Sequence, residues 1–280
     1  MNLQNIIGEI EKTDPEVYDK LDTRRNVMKQ FRTMGSRIAI AAVPFALGSM
    51  FSKAYGQPAG SVVLDVFNYA LTLEYLEAEF YTKAVATAGL IPAGAATGAI
   101  STIRDHENSH VAFLRAAISG AGGTPVTKPT FDFTAGKGLG NGLFKDVFTN
   151  YVTFLAVAQT FEDTGVRAYK GRAGELVKGG ALLTAALNIH SVEARHAAHI
   201  RQMRKSAGHN TTIKPWITGK DSGIGAVVQA SYDGEDLTTQ ATINIINING
   251  TGISANAASE AFDEPLTKAQ VLAIVGPFIV

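Results

Sequence analysis

The sequence has no cysteine. That absence excludes disulfides, zinc ribbons, iron–sulfur clusters and thiol nucleophiles, so any metal must be held by Asp, Glu and His. The chain also lacks an excess of either charge, with 25 Lys and Arg against 25 Asp and Glu. A neutral chain has no net field to draw it to nucleic acid or to an anionic membrane. The uncharged run at residues 38–52 is too short to span a bilayer. No Ser–His–Asp order stands out. The glycine-rich "GKGLGNG" lacks the Gly-x-Gly-x-x-Gly spacing and follows no predicted strand, so it reads as loop and not as a phosphate cradle. What is present is globular: 46% hydrophobic and 18% charged residues over 280 positions.

The N-terminal part is a different kind of sequence. "TRRNVMK" carries Arg24 and Arg25, with Arg32 and Arg37 beyond, and the uncharged run "IAIAAVPFALGSMFS" follows. That run has the length of a signal-peptide apolar region, and "SKA" at positions 52–54 offers small residues for cleavage. The paired arginines resemble a twin-arginine export signal, with Val27 and Met28 in place of the usual Phe and Leu. Residues 1–54 are therefore expected to be a cleaved signal that sends a folded protein to the periplasm or beyond. No stable membrane span is expected after its removal.

From residue 58 to about 208 the apolar residues recur at helical spacing. Leu64, Phe67, Leu71, Ala78 and Tyr81 mark a first helix, punctuated by Gly89 and Pro92. A second helix is predicted over 93–119, a third over 143–170, and a fourth over 175–207 with a break at Gly179 and Gly180. Residues 121–142, rich in Gly, Pro and Thr, form a long connection. Four helices with a long crossover between the second and third predict an all-α bundle of ferritin-like connectivity. Residues 209–280 predict a mixed or irregular extension packed on that bundle, with an extended segment at "TTQATINIININGTG" and one short helix near the end.

An internal repeat carries the chemistry. Glu74 precedes Tyr81 by seven residues, and Glu162 precedes Tyr169 by the same interval. Glu107 precedes His110 by three, and Glu193 precedes His196 by three. Each half of the bundle thus reads Glu-x6-Tyr, then Glu-x-x-His. On a helix turning about 100° per residue, partners three apart share a face, and partners seven apart lie two turns along one stripe. The spacing aims four carboxylates and two imidazoles inward. This is the donor set of dinuclear iron and manganese carboxylate sites, and its charge balances two divalent cations. Tyr81 and Tyr169 are placed to hydrogen-bond a ligand carboxylate on a neighbouring helix.

The single pieces are bland. One Glu-x-x-His is common on solvated helices, and His106, His190 and His199 have no assigned part. Glu77 competes with Glu74, because it lies on a stripe with Val66, Ala70, Leu73, Phe80 and Ala84. Glu74 is preferred because it alone repeats the spacing to tyrosine. Glu79 reads as solvated, and Asp105 and Asp163 as supporting or surface acids.

The stretches "NYALTLEYLEAEFYTKAV", "RDHENSHVAFLRAAI", "TFEDTGVRAYKG" and "SVEARHAAHIR" resemble the ferritin-like superfamily, and the ending "FDEPLTKAQVLAIVGPFIV" resembles its desiccation-related branch. The resemblance implies a four-helix bundle with two iron or manganese ions held by Glu74, Glu107, His110, Glu162, Glu193 and His196. It does not fix an activity; the leading expectation is oxidoreductase chemistry on oxygen or peroxide, of ferroxidase, peroxidase or catalase type, in a chain compatible with a homo-oligomer. The alternative is a non-catalytic, stress-protective or structural protein with a retained or vestigial metal site. Fold analogy does not choose between them.

Overall fold

The four predicted helical segments become four long helices. The computed structural model describes residues 61–280, so the predicted export signal lies outside the described residues. The helices are α1 (Ser61–Ala86), α2 (Ala95–Gly120), α3 (Tyr151–Ala173) and α4 (Ala181–Ser206). Three start later than the periodicity predicts, α2 by two residues and α3 and α4 by more. Residues 143–150 are apolar enough to read as helix, but Asn150 caps α3 by accepting from the Val152 N–H at 3.0 Å. Asp146 holds that cap through Asn150 Nδ2 at 2.8 Å and Thr153 Oγ1 at 3.2 Å. α4 starts at Ala181 because a 3₁₀ turn over Gly174–Gly179 ends at Gly180 with φ 50°, a conformation that favours glycine.

α1 packs along α2 and α3 along α4, and the two hairpins face each other. The core has two apolar halves. One is a ring cluster in which Phe80 stacks on Phe154 at 5.1 Å and meets Phe161 edge-on at 5.1 Å. The other gathers Leu71, Leu114, Ile118, Leu176 and Leu182. On α2, Ile100 and Ile103 belong to the first half, and Leu114 and Ile118 to the second. Glu107 and His110 lie between them. On α4, Ile189 and Ile200 flank Glu193 and His196 in the same way. The acids and imidazoles therefore form a polar layer sealed above and below by apolar packing.

Every residue of α3 from Phe154 to Tyr169 is buried. A helix buried on all sides needs a second wall, and residues 209–280 supply it. This segment is mostly irregular. Its only strands among the described residues are Thr239–Gln240 (β1) and Ile243–Asn244 (β2), paired antiparallel with Gln240 opposite Ile243. Two short helices follow, α5 (Ala255–Ser259) and α6 (Lys268–Val275), the latter opened by a Thr267/Gln270 capping box. Leu266, Val271, Val275 and Phe278 join the ring cluster, with Phe278 edge-on to Phe161 at 4.9 Å. The wall approaches closely at Gly171, where a β-carbon would fall 1.9 Å from the Leu266 carbonyl oxygen.

The polar residues on the outer face of α3 find their partners in this wall and on α4. Arg167, 1% exposed, donates to the carbonyls of Glu264 at 2.8 Å, Ser231 at 2.6 Å and Asp233 at 2.8 Å, and pairs with Glu235 at 2.6 Å. Asp163 pairs with Arg201 and accepts from Tyr232 Oη at 2.7 Å. Burial pushes the Glu235 carboxyl up to about 7 despite the guanidinium beside it. It also lowers Arg167, against the pull of Glu235. The pair is thus no surplus source of stability, but breaking it strands a buried charge.

The crossover is tied to the C-terminus. Asp132 N–H donates to the Phe278 carbonyl at 2.8 Å, and Val280 N–H to the Thr130 carbonyl at 3.0 Å. The glycine-rich loop turns its donors onto Asp132. Its carboxylate accepts from Thr134 N at 3.0 Å, Thr134 Oγ1 at 2.7 Å, Gly138 N at 2.9 Å and Gly140 N at 3.0 Å. The loop's anion site is filled from within the chain. Burial alone would raise this carboxyl, but the donors outweigh it and hold it at about 2.

Two outcomes follow from these ties. Arg167→Leu should lower unfolding stability by ~3–5 kcal/mol in denaturant titration, because Glu235 and three carbonyls lose their partner. Asp132 has a folded pKa below its ordinary value of 3.8, so its contribution is present above that value and fades as pH falls toward about 2. Asp132→Asn should therefore cost ~1–3 kcal/mol at pH 6, with the gap to the wild type closing between about pH 4 and pH 2 in pH-dependent thermal melts.

Candidate metal centre

α1 and α3 each bring one glutamate to the polar layer, and α2 and α4 each bring a Glu-x-x-His pair. Glu74, Glu107, Glu162 and Glu193 are fully buried, and His110 and His196 nearly so. The donor atoms fall into two overlapping groups, each within 4.8 Å: Glu74, Glu107, His110 and Glu193, and Glu107, Glu162, Glu193 and His196. Glu107 and Glu193 belong to both groups. His110 Nδ1 lies 3.1 Å from Glu74 Oε2, 3.1 Å from Glu107 Oε2 and 3.3 Å from Glu193 Oε1. His196 Nδ1 lies 2.8 Å from Glu107 Oε1 and 3.2 Å from Glu162 Oε2.

The tyrosines cross between hairpins. Tyr81 of α1 donates to Glu162 Oε1 at 2.5 Å, and Tyr169 of α3 donates to Glu74 Oε1. Each phenol holds one carboxylate oxygen and leaves the other toward the histidines. Burial first, and then the carboxylate each one touches, pushes both phenols well above their ordinary range, so they remain donors.

The electrostatics of the layer are compatible with bound cations. Glu107 Oε1, Glu162 Oε2, both oxygens of Glu193, and His196 Nδ1 are buried without a hydrogen-bond partner among the described residues. The 2.8 Å approach of His196 to Glu107 lacks hydrogen-bond alignment. Burial pushes Glu107 well above the usual carboxylate range, with Glu193 and Glu74 adding to it. Burial also raises Glu193 to about 8, with Glu74 adding. At His110 burial works the other way, but Glu107, Glu193 and Glu74 outweigh it and raise the imidazole to about 12. Protons thus stand in for positive charge among groups that cannot all ionise together. Hard oxygen donors with two imidazoles suit iron or manganese, and divalent cations would satisfy the orphaned atoms. The residues present fit such ions.

Among the competing residues, Glu77 is also buried, 4% exposed. It lies outside both donor groups and faces Gly165. A β-carbon at Gly165 would sit 3.1 Å from Glu193 Oε2 and 3.5 Å from Glu77 Oε1. Asp105 is a surface acid paired with Arg104, and Asp163 serves the C-terminal wall. Glu79 pairs with Lys128 and His199 is exposed. Sequence reasoning missed His106. Its exposed ring stacks on His196, and its Nδ1 lies 2.9 Å from His196 Nε2. That contact orients the His196 ring and leaves Nδ1 facing the carboxylates. It crosses from α2 to α4, so no spacing along one helix could reveal it. At the other end an open cleft of about 250 Å³ reaches His110, lined by Phe113, Ala185, Asn188, Ile189 and Val192.

A search of curated proteins finds no match to the chain. The sequence profile described as "Ferritin-like domain" matches residues 63–206, which run from the start of α1 to the end of α4 and make up just over half of the chain. The matched segment holds all four bundle helices and every residue of the acid–imidazole layer, and by that match the chain belongs to the ferritin-like domain family.

Proposed function

We propose that the chain is a metal-dependent oxidoreductase of the desiccation-related branch that uses two iron or manganese ions and acts on oxygen or peroxide. The observation that carries this reading is the set of buried oxygens on Glu107, Glu162 and Glu193 that lack a hydrogen-bond partner, aimed with two imidazoles into one layer. Glu74 and His110 would hold one ion, Glu162 and His196 the other, with Glu107 and Glu193 between them. When bound, such ions supply reversible one-electron chemistry toward oxygen or peroxide.

The protein's own part is orientation and exclusion. Tyr81 and Tyr169 fix the Glu162 and Glu74 carboxylates, and His106 fixes the His196 ring. The two apolar halves keep bulk water from above and below. The cleft at His110 has four apolar residues and one amide, which supports access by a small uncharged oxidant in preference to an ionic substrate. Export is part of the proposal, supported by Arg24, Arg25 and the uncharged run after them.

Elemental analysis after iron or manganese loading should find about two ions per chain. Glu107→Gln or Glu193→Gln should weaken both ions, whereas Glu74→Gln or Glu162→Gln should weaken mainly one. A folded wild-type chain that stays metal-free under both loadings would overturn the reading. Metal retained without peroxide consumption or ferrous oxidation would leave the non-catalytic, protective function in its place. For export, Arg24→Lys with Arg25→Lys should keep the folded protein in the cytoplasm on fractionation. Unchanged export of that variant would refute the twin-arginine route.

A further inference from the structure

The two halves of the bundle repeat each other around the site, with Glu74 answering Glu162 and Tyr81 answering Tyr169. Three residues after Glu74 the first half has Glu77, and three after Glu162 the second half has Gly165. The repeat breaks there in a complementary way. Gly165 lies in the interior of α3 with no positive φ to require it, and an interior glycine costs about 1 kcal/mol against alanine. What uses the vacated space is Glu77 Oε1 from one side and Glu193 Oε2 from the other.

Glu77 is 4% exposed, and its Oε1 reaches toward Gly165 on the facing helix and not toward a cationic side chain. A buried acid that braced the fold would face a cation, as Asp163 and Glu235 do. The charged groups acting on Glu77 are carboxylates, chiefly Glu193, then Glu162 and Glu74, and it acts in turn on the Tyr81 and Tyr169 phenols. In the metal-free chain its burial among other carboxylates is a cost.

We propose that Glu77 is a further metal ligand, a fifth carboxylate that joins Glu193 in the space left by Gly165 and makes the two ends of the cluster inequivalent. This rests on the metal reading of the site. It assigns to the chain a seventh donor that the Glu-x6-Tyr and Glu-x-x-His pattern does not contain.

The test is a titration of the metal-free full chain with manganese(II) alone, followed by equilibrium dialysis and by thermal melts with and without metal. Glu77→Gln should weaken at least one of the bound ions about tenfold or more. It should leave the melting temperature of the metal-free protein at or above the wild-type value, since no donor to Glu77 is lost. Gly165→Ala changes no charge, crowds the same space from the facing helix, and should weaken the same ion while the metal-free fold is retained. Wild-type affinity in Glu77→Gln, or a lower metal-free melting temperature with affinity kept, would overturn the proposal and make Glu77 a structural acid. Failure of the wild type to bind manganese or iron would instead remove the parent reading, so the two failures are distinguishable.

Discussion

Four glutamates share one buried layer, and like charges at that depth repel and are poorly solvated. Each alone would prefer to be neutral. The rest of the structure can be read as the means of holding them there. Apolar clusters close the layer on both sides, so water cannot screen it. Two tyrosines each take one oxygen of a terminal glutamate, which fixes the carboxylate without neutralising it. Only the histidines offer positive charge inside, and His110 holds its proton tightly because three carboxylates surround it. The layer is stable as a store of lone pairs only while protons or cations sit among them.

That burden explains why the bundle does not end at its fourth helix. α3 carries Glu162 inward and Gln159, Asp163 and Arg167 outward, and all of them are buried. The outward residues would destabilise a bare bundle. The C-terminal wall satisfies them one by one: Gln159 through Ser222 and Tyr232, Asp163 through Tyr232, and Arg167 through three carbonyls and Glu235. Asp132 then ties the crossover to the last residues of the chain. A helix packed on both faces has little freedom to rotate, and Glu162 is held in register with the acids and imidazoles of α2 and α4.

Much of this was legible in the sequence where the rule involved was local. Intervals of three and seven residues map onto one helix face whatever the helix packs against, so the inward set of Glu74, Glu107, His110, Glu162, Glu193 and His196 followed from spacing. The all-α class and the long crossover followed from periodicity and glycine. The start of α3 did not, because residues 143–150 are apolar for a different reason: Phe144 and Phe148 feed the ring cluster from a turn. His106 could not be found because it acts across two helices. Asp163 sits beside Glu162 in sequence yet faces away from it in space, toward a wall that has no periodic signal of its own.

The two halves are also unequal in how they meet solvent. His196 is covered by His106, whereas the matching position in the other half is Val192, which lines the cleft above His110. A cluster that served only to pin four helices together would gain nothing from an opening and would be more stable sealed at both ends. Here one end is closed by an imidazole that orients His196, and the other opens through an apolar mouth onto His110, itself 9% exposed. A closed end that sets geometry and an open end that admits a small molecule are what a reacting centre requires. That asymmetry is what favours the proposed turnover over the alternative of a purely architectural role.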